Sequence, residues 1–591
     1  MAINSTKDDE ELEESLKLDV LKRLFKYLIS YKRQIVIVTI LILITVAIGI
    51  AYPLIVQHII DVEIINKDIN GLFTMVGIAL VLAVVNLVAN RLWRDIMADV
   101  SNDVVYGIRR SLYMHIQDLG VDFFDSRPAG KILARVTGDV NALKDVLAST
   151  ITQLVPEGVS IIVVVIVMIS VSPMLTLSAA AAIPIILFGV FMCEIVAHKR
   201  WQIMRKKESN MTAFIHENLA GMGVIQSFNA QKESTDEFSD IVDEHRESFR
   251  RAVRVADFFS PTIEISFGVG SFILYYLAIK VLHVDASSVG TLTAFAIYMG
   301  MFFWPVRNLA NYYNKLITNI SAAERIFEIM DTKPSVTDVE GATDMPELKG
   351  EVVFDHVDFA YPDEPDKLIL HGVSFKANKG ETIALVGPTG AGKTTIVSLI
   401  SRFYNLSGGR VIIDGVDISK VTVHSLRNQL GIMTQDNYLF SGTIKENIKY
   451  GKEDATDEEI INAAKAVHAH DFIMKLEKGY DTEIAERGGG LSIGEKQLIA
   501  FSRTLVQDPK ILILDEATSS IDTKTEILVQ QGIEELLKQR TSFVVAHRLS
   551  TIRNADRIFV IDDGGILESG THEELMLKKG EYYNLYSAQT I

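Results

Sequence analysis

Cysteine is nearly missing from this chain of 591 residues: there is one, Cys193, inside an apolar run. A lone thiol excludes an internal disulfide, and at that place it reads as a small buried hydrophobe. Net positive charge is missing too. The formal charge is −17, and no sustained basic stripe occurs outside short clusters flanking the apolar runs. Nucleic acid is therefore not an expected partner, because neutralising phosphates requires clustered Lys and Arg. The opening residues, MAINSTKDDEELEESLK, have no apolar core and do not read as a cleaved signal peptide. Membrane insertion, if it occurs, falls to internal segments.

Such segments are present. A helix crossing a ~30 Å hydrocarbon layer needs ~20 mostly apolar residues. Six stretches qualify: Ile35–Ile55, Gly71–Asn90, Ser149–Val171, Leu175–Val196, Pro261–Val281 and Val289–Val306. The connections between them alternate in length. The third-to-fourth turn is little more than Ser172–Pro173, whereas the second and fourth connections run from Arg91 to Ala148 and from Ala197 to Ser260. Those two long connections carry the Lys and Arg clusters, so the positive-inside rule places them, and both termini, in the cytoplasm.

Few Gly or Pro interrupt the long connections, and helical apolar spacing continues through VVYGIRRSLYMHI and MTAFIHENLAGM. They read as spanning helices extended into the cytosol, each bending once, near Phe123–Gly130 and near Asn218–Gly223, where a bend could present a short transverse helix to another domain. Ahead of the first span, Leu18–Tyr31 has an apolar face opposite Lys22, Arg23 and Lys26, as an interfacial elbow helix would. Glu157 and Glu264 fall in or at the edge of apolar spans. A carboxylate there needs a partner or an aqueous cavity. Glu264 is the candidate for contacting a cationic substrate, with an interhelical hydrogen bond as the alternative; for Glu157 the hydrogen bond is the favoured reading.

After Met330 the chain turns polar. ETIALVGPTGAGKTTIVSLI joins an apolar strand, a glycine-rich loop and a helix, and Gly387–Thr394 satisfies G-x-x-x-x-G-K-[ST] without mismatch. Loop N–H groups of Gly387, Thr389, Gly390, Ala391 and Gly392 are placed to wrap phosphates, and the following helix start adds positive dipole. Lys393 would reach the β- and γ-phosphates, Thr394 would ligate Mg²⁺, and Thr395 follows at the same helix start. Downstream, ILILDEATSSID reads as a buried strand ending in Asp515, for the magnesium shell, and Glu516, placed to polarise the attacking water.

These residues resemble the ATP-binding cassette (ABC) family, and the order of membrane half before cassette resembles its exporter branch. The resemblance implies further roles. Tyr361 matches the aromatic that stacks on adenine, and Gln435 the glutamine that senses magnesium and contacts the membrane half. Leu491–Glu495 stands at the signature, Asp522 matches the loop linking two ATP sites, and His547 matches the switch histidine near the γ-phosphate. It also implies head-to-tail dimers in which each ATP lies between one phosphate loop and the other subunit's signature, so that Ser492 and Gly494 would contact the partner's ATP.

One departure stands out. The usual signature is L-S-G-G-Q, and here it is L-S-I-G-E. Ile493 removes a glycine's conformational freedom, and Glu495 puts a carboxylate where a neutral amide is usual. With Lys393, Asp515, Glu516 and His547 intact, this resembles the catalytic-site subunit of a heterodimeric bacterial multidrug exporter with one degenerate ATP site, a homodimer being the alternative.

The expected architecture is a membrane all-α domain, six transmembrane helices with long cytosolic extensions, fused to an α/β P-loop ATPase. Its parts would be 1–34 as cytosolic N-terminus and elbow, 35–330 as transmembrane domain, 331–347 as linker and 348–591 as nucleotide-binding domain. The expected activity is ATP-driven, Mg²⁺-dependent export of hydrophobic or amphipathic compounds across the plasma membrane. A peptide or bacteriocin exporter is the nearest alternative; a gated channel or membrane-tethered regulator is the alternative of another class.

Overall fold

The computed structural model describes residues 18–180, 183–280, 289–433, 437–515, 523–545 and 552–590. Contacts divide the chain into two compact units: Met1–Met114 with Leu133–Asp331, and His115–Ile132 with Thr332–Ile591. A short piece from the middle of the helical half therefore belongs to the second unit.

The first unit is helical. Its described elements include α1 (Leu18–Leu28), α2 (Lys32–His58) and α3 (Ile69–Asp118), whose end passes into the bend segment. The bend carries α4 (Val121–Asp125) and α5 (Ala129–Ala134). Then come α6 (Val140–Ser149), α7 (Val155–Val171), α8 (Pro173–Ala180) and α9 (Ile183–Ala220). The remainder is α10 (Met222–Ser227), α11 (Gln231–Ala256), α12 (Phe259–Lys280) and α13 (Val289–Asp331). All six apolar stretches are helical wherever they are described. Three helical runs among the described residues, Asp19–Ile64, Ile69–Asp118 and Ala129–Val171, are long and apolar enough to cross a membrane; Glu264–Ile279 and Val289–Pro305 are shorter apolar runs.

The outward faces are as informative as the core. On α3, Phe73, Leu80 and Leu87 are 63–70% exposed. In water such a stripe would be an aggregation surface, whereas against hydrocarbon it is the solvated face. Inside, Ile50, Val164, Met168, Leu274, Phe295 and Tyr298 pack α2, α7, α12 and α13 together. One polar group between helices is paired across the core: the Tyr298 hydroxyl donates to the Ile50 carbonyl at 2.8 Å. Arg325 forks onto both oxygens of Asp139 at 2.9 and 2.7 Å, a geometry in which two charge-assisted bonds share one planar group. The α1 helix is separated from α2 by the 3₁₀ turn Ile29–Tyr31. Its Arg23 lies 4.2 Å from the Phe327 ring centre and 2.6 Å from Asp331, pinning α1 to the end of α13.

The second unit holds two larger sheets. Strands β1 (Val352–Ala360), β2 (Leu368–Ala377), β4 (Gly408–Ile413) and β5 (Val416–Asp417) form an antiparallel sheet in the order β2-β1-β4-β5. Strands β3 (Thr382–Val386), β6 (Leu430–Met433), β9 (Ile511–Asp515), β10 (Thr541–Val545), β11 (Arg557–Asp562) and β12 (Gly565–Gly570) form the other, in the order β12-β11-β3-β10-β9-β6. The short pair β7 (Gly442–Thr443) and β8 (Glu483–Ile484) stands apart. All but the β12 edge of the six-stranded sheet is parallel. Every residue of β10 is buried, as expected for parallel strands covered on both faces. Ligands of such sheets bind beyond the carboxyl ends of the strands. That is where β3 runs into the phosphate loop.

Candidate nucleotide site

The loop Gly387–Gly392 connects β3 to α14 (Lys393–Ile400). Two glycines are required by its shape. Gly387 has φ 148°, and a Cβ there would lie 2.1 Å from the Ile561 carbonyl oxygen; Gly392 has φ 101°, and its Cβ would lie 2.8 Å from Leu370. No L side chain fits either place comfortably. Gly390, also at positive φ, faces open space. The start of α14 has Gly392 at its N-cap and no side chain capping it, so its backbone donors are left available to an anion. A cavity of about 280 Å³ adjoins the loop, lined by Pro388–Ala391, the start of β2 and the Asp562–Gly564 turn.

Lys393 is only 8% exposed. Its ammonium donates to the Gly387 and Pro388 carbonyls at 2.8 and 2.7 Å. Burial lowers its pKa from the ordinary lysine value, and the Asp515 carboxylate opposes that shift. A buried cation held by neutral carbonyls beside an open, donor-rich loop is suited to a polyphosphate. Thr394 is exposed at the first turn of α14, and Asp515 ends β9. The two are thus at the carboxyl edge of the sheet where a divalent ion bridging phosphates would need oxygen ligands. Thr395 is buried and lies 3.0 Å, hydroxyl to hydroxyl, from Tyr361. Tyr361 is half-buried, edge-on to Phe359 and Tyr404 at 5.0 and 5.2 Å between ring centres.

Gln435, Glu516, Asp522 and His547 lie outside the described residues. Asp515, adjacent to Glu516, places the strand end that leads into it. Glu264 is exposed on α12, and Glu157 accepts a 2.8 Å bond from the Asn308 amide, an interhelical pairing of α7 with α13.

At the signature, Ser492 and Ile493 are exposed and Gly494 is buried at the head of the helix Ile493–Val506. Glu495 is engaged within its own helix start. Its carboxylate accepts from the Ser492 N–H at 2.8 Å and from the Ser492 hydroxyl at 2.9 Å, while the Glu495 N–H donates back to that hydroxyl. This reciprocal capping box is the one that the letters S-x-x-E encode at a helix start. Among the described residues the same device starts three other helices of the unit, through Thr443 and Glu446, Thr456 and Glu459, and Thr571 and Glu574.

The first bend does carry a short helix that joins the second unit, through partners the sequence did not name. Asp125 of α4 accepts a hydrogen bond from the Tyr404 hydroxyl. Asp122 accepts one from Ser335 at 2.6 Å, and Val121 packs on the core of the ATPase unit. No local sequence signal announces a contact between residues so far apart along the chain.

Comparison with known proteins agrees with this geometry. Residues 35–306 match the family described as ABC transporter transmembrane region, and residues 370–519 match the one described as ABC transporter. The chain is 39% identical to YknV of Bacillus subtilis (strain 168), an uncharacterized ABC transporter ATP-binding protein, over 98% of this chain and 96% of that one. It is 36% identical to YgaD of the same organism, named as a candidate multidrug export ATP-binding/permease protein, over 97% and 100% of the two chains. Among solved structures it resembles a bacterial Atm1-family ABC exporter with ATP bound, with a TM-score of 0.78 and 27% identity, covering 95% of this chain and 98% of that one.

Proposed function

This chain belongs to the ABC transporter family as an ATP-hydrolysing exporter of the plasma membrane, and from that premise we propose that it exports hydrophobic or amphipathic compounds as one half of a heterodimer with one degenerate ATP site. The observation that carries the pairing is the state of the two helix starts. The phosphate-loop helix has no acidic residue in its first turn, whereas the signature helix carries the Glu495 carboxylate in its own.

In this reading ATP lies on Gly387–Thr395 with its base against Tyr361, and Lys393 leaves its two carbonyl partners for the β- and γ-phosphates. Glu516 polarises the attacking water and His547 contacts the γ-phosphate. Thr394, Asp515 and Gln435 would hold Mg²⁺, which neutralises developing phosphate charge when bound. The opposing signature comes from a different chain with a neutral residue at the place of Glu495. This chain's own signature meets the partner's ATP with Ser492 already donating to Glu495, with Ile493 52% exposed at the contact face, and with Asp522 at the link between sites. A negative charge at a helix start cancels the dipole that would otherwise favour phosphate. Both termini and the ATPase unit are cytoplasmic, the long connections being the basic ones. Glu264, exposed on α12, is the proposed contact for cationic cargo.

The test is reconstitution. The chain purified alone and the chain co-expressed with a second half-transporter of ordinary signature are compared for ATP turnover and for nucleotide trapped by vanadate. The heterodimer reading expects trapping at one site per pair and at least tenfold more turnover in the mixed complex. A homodimer of this chain that traps and turns over at both sites would defeat it.

A further inference from the structure

We propose that Tyr404 is a positioning residue that reports occupancy of the adenine-facing ring of Tyr361 to the cytosolic bend Val121–Asp125 of the same chain. The inference rests on the proposed stacking of adenine on Tyr361. It adds the route by which that event reaches the helices.

Tyr361 is held on two sides and at its tip. Phe359 and Tyr404 meet its ring at interplanar angles of 80° and 89°, and its hydroxyl is tied to Thr395, next to Thr394 in the first turn of α14. A base settling on the ring therefore cannot move it without moving Tyr404 or the phosphate-loop helix. Tyr404 is itself buried, 6% exposed, and its ring also tilts against Phe359 at 5.6 Å. Its hydroxyl leaves this aromatic cluster to donate to the Asp125 carboxylate. Burial first, and then Asp125, raise the pKa of the Tyr404 phenol above its ordinary value. It thus stays protonated, a donor to an anion, across the physiological range, and such bonds are shorter and stronger than neutral ones.

The other anchors of the bend grip different ground. Asp122 binds Ser335, His115 lies 2.9 Å from the Thr332 carbonyl, and Arg127 covers Phe123 at 4.5 Å. Those contacts join the bend to the segment that follows α13, or to itself. Val121 packs on the apolar cluster that includes Phe359 and Tyr404, and among the described hydrogen bonds that of the Tyr404 hydroxyl leads from the bend to the ring facing the nucleotide. The bonds needed are side-chain bonds inside one compact unit, so the link works in cis and does not require a second subunit.

The experiment uses the full chain in lipid nanodiscs and follows amide hydrogen exchange across Val121–Gly130. ATP is added with EDTA, so that no hydrolysis intervenes. In the unaltered chain ATP should slow exchange in the bend at least threefold. Tyr404→Phe should bind ATP within twofold of the unaltered affinity yet lose the protection. Asp125→Ala, which removes the same bond from the bend side without touching the ATPase core, should lose it equally. Inorganic tripolyphosphate, at a concentration that displaces a fluorescent ATP analogue, should leave exchange in the bend unchanged, because it offers no base to Tyr361. A structural role alone would not separate ATP from tripolyphosphate. The inference is overturned if Asp125→Ala keeps the protection, or if tripolyphosphate protects the bend as ATP does. A chain that does not bind ATP at all would instead sink the proposed function, and this inference with it.

Discussion

Two helices of the ATPase unit begin where nucleotide chemistry is expected, and they begin differently. At α14 the N-cap is Gly392, left-handed and without a side chain, and the first helical residue is a lysine. At Ile493–Val506 the N-cap is Ser492, closed by Glu495 in a box like those of three ordinary structural helices of the same unit. An uncapped start leaves backbone donors and dipole for an external anion; at the capped start the Ser492 and Glu495 N–H groups are already engaged and the Glu495 carboxylate offsets the dipole. In the proposed function the first start holds a ligand, and the second is weakened for one by the charge of Glu495.

The comparison breaks most directly at the open end. Lys393→Ala removes the buried cation proposed to meet the phosphates and should lower ATP turnover by about a hundredfold or more, the scale set by removing one preorganised electrostatic group. Turnover within tenfold of the unaltered complex would show that the loop is not the hydrolytic cradle. Gly387→Ala comes next. Its Cβ would sit 2.1 Å from the Ile561 carbonyl at a φ that L residues avoid, so strain of about 1–3 kcal/mol or more should appear as at least tenfold weaker ATP binding in equilibrium titration. Retained affinity would mean that β3 and β11 part without cost.

Two smaller effects sharpen the other end. Glu495→Gln keeps the capping geometry, since glutamine also serves at that place, and removes the charge. In the mixed complex it should raise total ATP turnover up to about twofold, by awakening the second site, with little change in melting temperature. No gain in vanadate-trapped nucleotide at that site would shift the blame to Ile493. Thr571→Ala, at a box remote from either nucleotide, serves as the control. It should cost about 1 kcal/mol, seen in melting of the ATPase unit, and leave turnover unchanged. A turnover defect there would undo the distinction between structural and ligand-facing helix starts.

Much of this was legible in one dimension because the chemistry is local. The phosphate loop needs its glycines and lysine at fixed spacing, so Gly387–Thr394 could be read directly, as could the strand running to Asp515. The apolar stretches announced themselves by length against the width of a bilayer. The fate of Glu495 was half legible: its charge was noticed, while its engagement by Ser492 required seeing that S-x-x-E is also a way to start a helix. The pairing of Glu157 with Asn308 matches the favoured, hydrogen-bonded reading, though only the packing of α7 on α13 could name the partner.

By itself, then, the order of residues determined which segments are apolar enough for lipid, where a strand must turn sharply around phosphate, and which helix starts carry a cap, since each depends on neighbours within a few positions. The tertiary structure alone decided how much of the bend, His115–Ile132, joins the ATPase unit, that Tyr404 reaches Asp125, and that Arg23 pins α1 to Asp331. Those contacts join residues hundreds of positions apart or on separate elements. Their energy depends on the folded chain holding both partners in place, which no local pattern encodes.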